Sequence, residues 1–406
     1  MAVNIPEMGS LEPVPGIRLG TAQAGIKKPG RDDVALLVLD EGTTVAGVFT
    51  RNSFRAAPVL LAESRFARSG IRAFLINSGN ANAATGEPGL ADAKKVCAEL
   101  ARSLGVAAEA VAPFSTGVIG ERLPVDRMVS SLPAAVKNLG ADNWAQVARA
   151  IMTTDTVPKA LSRQAEIGGV KVTVTGMVKG AGMIKPDMAT MLAFVGCDAQ
   201  VARPALESLV REVADVSFNR ISIDGDTSTN DCFVIAATGQ AGNSRITSSA
   251  DGDYRALRKL LTEVCQELAQ RVVRDGEGAT RFVTVNVTGG ANQSECLRVA
   301  YTIAESPLVK TALFAGDPNW GRLSMAIGRA GVEDLDTTGV NVHLAEVCVM
   351  RGGLKAAEYT EAAGAAVMAR DEFEIRVELG RGDQSAMVWT TDLSYEYVKI
   401  NAEYRS

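Results

Sequence analysis

The chain has 406 residues, of which 47% are apolar and 22% charged, a composition typical of a folded globular protein. This length exceeds the size at which one hydrophobic core keeps growing, so we expect more than one domain. The 42 basic and 47 acidic residues give a net charge of -5 without blocks of like charge. This pattern argues against nucleic acid and anionic membranes as partners.

The predicted elements follow from the spacing of apolar residues along the chain. Apolar runs that predict strands lie at 34–39, 45–50, 73–76 and 170–174. Helical repeats lie at 91–104, 125–136, 143–152, 204–216 and 254–273. We expect the first two strands to be neighbours joined by the turn at 40–42, and the third to run into a polar loop at 77–82.

Beyond about residue 285 the segments become shorter, with Gly and Asp turns between them. Alternation predicts a strand at 373–379, and we expect 386–390 to pair with it. We place a domain boundary here, giving domains of residues 1–285 and 286–406. Helices and strands interleave without strict βαβ order, which favours an α+β or layered sandwich over a doubly wound sheet.

The N-terminal segment has no apolar run after a basic region, and the apolar stretches are too short to span a bilayer. We therefore expect a cytoplasmic protein without a membrane anchor. The six cysteines form no CxxC pair and are too sparse for a disulfide framework, so we expect free thiols.

Histidine is almost absent from the sequence. His343 is the single one, in a short apolar segment that predicts a strand, where a packed role is more common than a catalytic one. A multi-histidine zinc site is excluded, and we expect no metal. If the protein is an enzyme, its general base is therefore expected to be another group.

The segment with the most unusual composition is KGAGMIKPDMATML, which runs from Lys179 to Leu192. By composition alone it is a glycine-rich loop that enters a buried strand. The histidine shortage suggests a second interpretation, since a threonine at a chain N-terminus carries its own base, the α-amine. That amine has a pKa of about 7.7–8.0, against about 10.4 for lysine. Thr190 would gain such an amine only if its bond to Ala189 were cut.

A second segment, PFSTGVIG at 113–120, predicts a loop with the hydroxyl of Thr116 beside the amide of Gly117. Glycine lets the backbone approach closely, and the pair can donate two hydrogen bonds to a developing oxyanion. Taken alone, a Ser-Thr-Gly segment is usually only a turn.

Motifs along nearly the whole chain resemble those of one family. They are NSGNANAATG at 77–86, PFSTGVIGE at 113–121, MTTDTVPK at 152–159, DGDTSTND at 224–231, VRDGEGATRF at 273–282, GDPNWGR at 316–322 and NAEYRS at 401–406. With KGAGMIKPDMATML, they resemble the ornithine acetyltransferase (ArgJ-type) family, the bifunctional glutamate N-acetyltransferases of arginine biosynthesis.

The resemblance implies that the bond between Ala189 and Thr190 is cut autocatalytically, giving an α chain of residues 1–189 and a β chain of residues 190–406. Thr190 would then be the nucleophile, and Thr116 and Gly117 the oxyanion hole. The residues implied to contact the amino-acid substrate are Thr153, Lys179, Thr190, Glu277, Asn401 and Ser406.

The implied reaction is a ping-pong transfer of acetyl from N2-acetylornithine to glutamate, with no cofactor and no metal. The resemblance leaves open whether acetyl-CoA is a second donor. It also implies an αββα sandwich with a smaller α/β C-terminal domain, assembled as an α2β2 heterotetramer.

Other interpretations stay open at this point. An N-terminal-nucleophile amidase or aminopeptidase would need the same cleavage but would pass the acyl group to water. A non-enzymatic amino-acid-binding protein would need none. Without the resemblance, Glu277 is a solvated charge beyond a helix end, Lys179 an ordinary loop lysine, and Asn401 and Ser406 part of a frayed C-terminus. The run at 224–231 lacks the spacing of an EF-hand and is expected to be a structural turn. The segment at 317–322 is expected to be a rigid turn or a subunit contact.

Overall fold

The computed structural model describes residues 2–27, 29–68, 70–185 and 191–404. Within these ranges the strands are β1 (Ile17–Ala22), β2 (Val34–Leu39), β3 (Thr44–Phe49), β4 (Ala73–Asn80), β5 (Val111–Val118), β6 (Lys159–Ile167), β7 (Val170–Lys179), β8 (Leu192–Cys197), β9 (Ile221–Ser222), β10 (Cys232–Ala237), β11 (Phe282–Gly290), β12 (Asn341–Leu344), β13 (Val347–Arg351), β14 (Leu354–Lys355), β15 (Glu372–Glu378) and β16 (Gln384–Thr391). The helices are α1 (Ala57–Phe66), α2 (Gly86–Leu104), α3 (Val125–Lys137), α4 (Trp144–Ala150), α5 (Arg203–Val216), α6 (Gly252–Arg274), α7 (Gln293–Ala304), α8 (Pro307–Ala315), α9 (Trp320–Gly328), α10 (Glu361–Met368) and α11 (Tyr395–Ala402).

Two mixed sheets pack face to face, with strand orders β1-β2-β4-β5 and β3-β10-β8-β7-β6. Because successive side chains of a strand point to opposite faces, β2 supplies two cores. Ala35 and Leu37 pack between the sheets, whereas Leu36 and Val38 pack beneath α2 and α3. Helices α5 and α6 cover the outer face of the second sheet. This order of layers confirms the expected αββα sandwich within an α+β fold.

Aromatic rings join the two sheets at the middle of β5. The ring centroids of Phe74 and Phe114 lie 5.5 Å apart, and those of Phe114 and Phe194 lie 5.0 Å apart, both edge to face. Aromatic pairs prefer this geometry, which adds to the free energy of burying the rings. The contact fixes β5 against β8, the strand that begins just after position 190.

A third sheet has the order β14-β13-β12-β15-β11-β16-β9 and packs against α7 around a core of its own. Its strand β11 runs parallel to β15 and antiparallel to β16. Residues 285 and 286 both lie inside β11, so the expected boundary falls within a strand. The division of the chain at that point stays a prediction.

Most element predictions are confirmed to within a few residues, but two predicted strand pairings are wrong. The strands predicted at 34–39 and 45–50 form β2 and β3, which belong to different sheets, because the turn between them carries the chain across the layers. The strands predicted at 373–379 and 386–390 form β15 and β16, which lie on either side of β11. The turn between them crosses the end of β11, where Leu379 N donates to Thr288 O at 2.9 Å.

The predicted polar loop at 77–82 is also partly wrong, because β4 continues to Asn80. Pairing with β5 satisfies the backbone groups of these polar residues, so they need no turn. Among the helices of the described residues, none combines the length and the apolar character needed to cross a membrane.

Candidate active site

A cavity of about 290 Å³ opens where β5 and β7 end and β8 begins. The sequence-predicted site residues that line it are Thr116, Gly117, Thr153, Lys179, Glu277 and Asn401. Met191, the first described residue after position 190, lines it as well. Ala189, Thr190 and Ser406 lie outside the described residues. The structure thus brings together every predicted site residue that it describes.

Thr116 and Gly117 lie on β5, so the loop predicted at 113–120 is wrong over most of its length. Parallel pairing with β4 makes the segment a strand, with a register shift where Gly79 and Asn80 face it. Gly117 has a φ of 136°, and a Cβ there would lie 2.2 Å from the backbone carbon of Gly79. The close approach of the two strands therefore requires glycine at 117.

Lys179 ends β7, and its side chain reaches the wall formed by β5. Its Nζ donates to Thr116 Oγ1 at 3.3 Å, and the residue is buried. Burial lowers the pKa of Lys179, while the negative charge of Asp155 is the largest influence that opposes this shift. A cation held in a buried cavity is suited to pairing with a carboxylate.

Glu277 and Asn401 come together although 124 positions separate them. Asn401 Nδ2 donates to Glu277 Oε2 at 2.7 Å, which holds α11 beside the turn that follows α6. The backbone of that turn is fixed as well, since Glu277 N donates to Ala181 O at 2.8 Å. A Cβ on Gly182 would lie 2.4 Å from the carboxyl carbon of Glu277, so glycine leaves room for this carboxylate. The buried carboxylate lines the same cavity as Lys179 and can face a cationic amine there.

The motif at 224–231 forms one wall of the cavity through its residues 228–231. Asp224 accepts hydrogen bonds from Met183 N at 2.6 Å and Ile184 N at 2.8 Å, which makes it part of a hydrogen-bonded turn as expected. Among the described residues, no group of His, Cys, Asp and Glu side chains is arranged to hold a metal ion.

The ArgJ family model matches residues 18–406 of the chain. The chain belongs to the ArgJ family. It is 57% identical over 406 residues, the whole of both chains, to the arginine biosynthesis bifunctional protein ArgJ of Pseudomonas syringae pv. tomato. It is 56% identical, again over the whole of both chains, to the protein of that name from Pseudomonas fluorescens.

Among solved structures, the arginine biosynthesis bifunctional protein ArgJ of Bacillus halodurans is 38% identical, with a TM-score of 0.51. The match covers 53% of this chain and 100% of that chain. The predicted family is thereby confirmed, and with it the predicted class of enzyme, an acyltransferase of arginine biosynthesis.

Three charged residues at the site were not singled out from the sequence. Asp155 and Lys159 are buried directly behind the cavity, and Asp231 lines it. Burial raises the pKa of Asp231 well above its usual range. The sequence held one signal for all three: Asp155 and Lys159 lie within MTTDTVPK, and Asp231 ends DGDTSTND, two of the segments on which the family resemblance rests.

The remaining singled-out residues lie elsewhere in this ArgJ family fold. His343 is on β12 in the third sheet, half-buried as expected for a packed strand residue, and does not line the cavity. The side chain of Asn319 accepts a hydrogen bond from Arg322 N and so caps α9, which agrees with a rigid turn at 317–322, one of the two roles expected for this segment. The cysteines are free thiols, and all but Cys348 are buried.

Proposed function

We propose that the chain transfers an acetyl group from N2-acetylornithine to glutamate through an acetyl ester on Thr190. The observation that carries the proposal is the single cavity that joins the candidate oxyanion donors, a buried lysine and a buried glutamate, beside the residue that follows position 190. Membership of the ArgJ family supports the same reaction.

In the proposed first stage the chain cuts itself. The hydroxyl of Thr190 attacks the carbonyl carbon of Ala189, the C–N bond breaks, and water then opens the ester that has formed. The products are chains of residues 1–189 and 190–406, the second starting with a free α-amine on Thr190. One finding agrees with such a fragment: the solved Bacillus halodurans chain is covered completely by a match to 53% of this chain. Residues 190–406 would make up the same share of the sequence.

In the second stage the α-amine of Thr190 takes the proton of the Thr190 hydroxyl as this oxygen attacks the acetyl carbonyl of N2-acetylornithine. Thr116 and Gly117 donate hydrogen bonds to the oxyanion, and ornithine leaves after its nitrogen has received that proton. The amine of glutamate then attacks acetyl-Thr190 and yields N-acetylglutamate. Both amino acids carry an α-carboxylate for Lys179, and ornithine also carries a side-chain amine for Glu277.

The contacts of Thr153, Asn401 and Ser406 with substrate belong to the proposal, as do the α2β2 assembly and a cytoplasmic location. We propose no cofactor. Acetyl-CoA is proposed only as an alternative donor to the same threonine, because a thioester can be attacked by the same hydroxyl.

Acetyl transfer is tested with labelled N2-acetylornithine, by following label into N-acetylglutamate and into free acetate. The proposal expects label in N-acetylglutamate, and no transfer by Thr190→Ala, which should also stay uncut. Release of label mainly as acetate would instead indicate an amidase. Full activity of Thr190→Ala in cells would indicate a role that needs no catalysis. The same assay with labelled acetyl-CoA decides whether it is a donor.

A further inference from the structure

A fully buried ion cluster lies directly behind the cavity. Lys159 Nζ is 2.6 Å from Asp155 Oδ1 and 2.6 Å from Asp275 Oδ2, and all three side chains have no exposed surface. Burying ions is costly even when they are paired, and such a cluster adds little to stability compared with apolar residues of the same size. Its place beside the site points to a role other than stability.

Asp155 connects this cluster with two segments that line the cavity. Its Oδ1 accepts a hydrogen bond from Gly180 N at 2.7 Å, directly after Lys179. Its Oδ2 accepts a hydrogen bond from Thr153 N at 3.0 Å. One carboxylate therefore ties the end of β7 to the segment that follows α4. Lys159 holds this carboxylate in place and balances its charge.

We propose that Asp155 is a positioning residue that acts through Lys179 and Thr153, fixing both segments and placing a negative charge beside Lys179, which binds the carboxylate of the substrate. The inference rests on the proposed function, in which Lys179 binds that carboxylate. It assigns a role to a buried pair, Asp155 and Lys159, that does not line the cavity.

The electrostatics of the cavity agree with this role. Charged groups that face Lys179 from the elements packed around it are Asp155, Lys159, Asp231 and Glu277. Burial lowers the pKa of Lys179, and the charge of Asp155 raises it more than that of any other carboxylate. Without that charge the pKa of Lys179 would fall further. Because only protonated Lys179 attracts a carboxylate, affinity is lost as pH rises through this pKa, and the loss would move to lower pH.

Asp275→Asn is a matched control for Asp155→Asn. Asp275 is equally buried, contacts the same Nζ of Lys159, and accepts a hydrogen bond from Thr156 N at 3.0 Å. It is not among the groups of the described chain that shift the pKa of Lys179. Each variant removes one buried charge from the same cluster, but only one of them removes it beside Lys179.

The experiment measures ornithine binding by calorimetry, and KM and kcat for N2-acetylornithine, between about pH 6 and pH 9. In Asp155→Asn we expect the loss of binding at alkaline pH to occur at lower pH than in wild type, with KM raised at those pH values where wild type still binds. Asp275→Asn should lose thermal stability but keep the pH dependence of wild type. An unchanged pH dependence in Asp155→Asn, or the same shift in both variants, would overturn the inference.

Asp155→Glu keeps the test decisive if Asp155→Asn does not fold. It retains the charge but moves the carboxylate by one methylene. We expect this variant to lose ornithine binding at about the same alkaline pH as wild type, because the negative charge remains. Its KM should rise, because the backbone amides of Thr153 and Gly180 no longer find the carboxylate acceptor in its original place. If Asp155→Glu instead loses ornithine binding at a lower pH than wild type does, the electrostatic role of Asp155 is contradicted. If wild type binds ornithine but transfers no acetyl group, the proposed function fails. The pH dependence of ornithine binding then still tests the positioning role of Asp155.

Discussion

Replacing Gly182 by alanine tests the role of Glu277 without removing any functional group. The new Cβ would lie 2.4 Å from Glu277 Cδ and 2.5 Å from each carboxylate oxygen, whereas ordinary contacts begin at 3.4 Å. The hydrogen bond from Glu277 N to Ala181 O holds the backbone in place, so the side chain of Glu277 is the part that must move. The carboxylate must move by about 1 Å, which also breaks its hydrogen bond with Asn401.

A displacement of about 1 Å in a substrate-positioning group costs on the order of 100-fold in rate. We therefore expect kcat/KM for N2-acetylornithine to fall by on the order of 100-fold in Gly182→Ala. The melting temperature should change little, because the end of a flexible side chain can yield at small cost. Steady-state kinetics and thermal melting measure the two effects separately.

Gly328→Ala is the matched control, because a Cβ at Gly328 in α9 meets no heavy atom within 4 Å. We expect this variant to keep the kinetics of wild type. The reasoning about Glu277 is refuted if Gly182→Ala retains a kcat/KM within roughly threefold of wild type, a difference below 1 kcal/mol. It is equally refuted if both variants lose activity to the same extent.

Three further predictions concern the wall of the cavity and the ions behind it. Thr116→Val should lower kcat on the order of 100- to 1,000-fold with little change in melting temperature, and a normal kcat would remove Thr116 from the oxyanion hole. Gly117→Ala should be recovered with a clearly lower melting temperature, because its Cβ would lie 2.2 Å from the backbone of the adjacent strand; a stable variant would contradict the observed strand spacing. Lys159→Met should lower the free energy of unfolding by about 3–5 kcal/mol, since the carboxylates of Asp155 and Asp275 lose their buried counter-ion. Urea unfolding measures that loss, and a loss below about 1 kcal/mol would argue against the ion cluster.

The sequence predicts the elements of this fold well because apolar spacing is a local property. Prediction from the sequence fails where the structure of a segment depends on pairing with residues far away in the chain. The run containing Thr116 has the composition of a loop, but pairing with β4 makes it a strand. The turn between β2 and β3 would suit a hairpin, yet β3 pairs with β10, almost two hundred positions further along the chain.

The site residues show the same limit. Residue chemistry alone drew attention to Thr190 and to Thr116 with Gly117, whereas Glu277 and Asn401 were named only through the family resemblance. Nothing local indicates that Glu277 and Asn401 form a hydrogen bond, since the folding of the third sheet and α11 brings them together. Asp155 and Lys159 escaped attention because a single sequence does not reveal that charged residues are buried.

Mass spectrometry of the purified protein tests the central claim most directly. The enzyme is incubated with N2-acetylornithine in the absence of glutamate, quenched in acid, and its intact masses are recorded. The account predicts two chains, residues 1–189 and 190–406, with one additional acetyl group on Thr190 that disappears when glutamate is added. A single active chain that is uncut between Ala189 and Thr190, or a cut enzyme whose acetyl group is found on another residue, would contradict it.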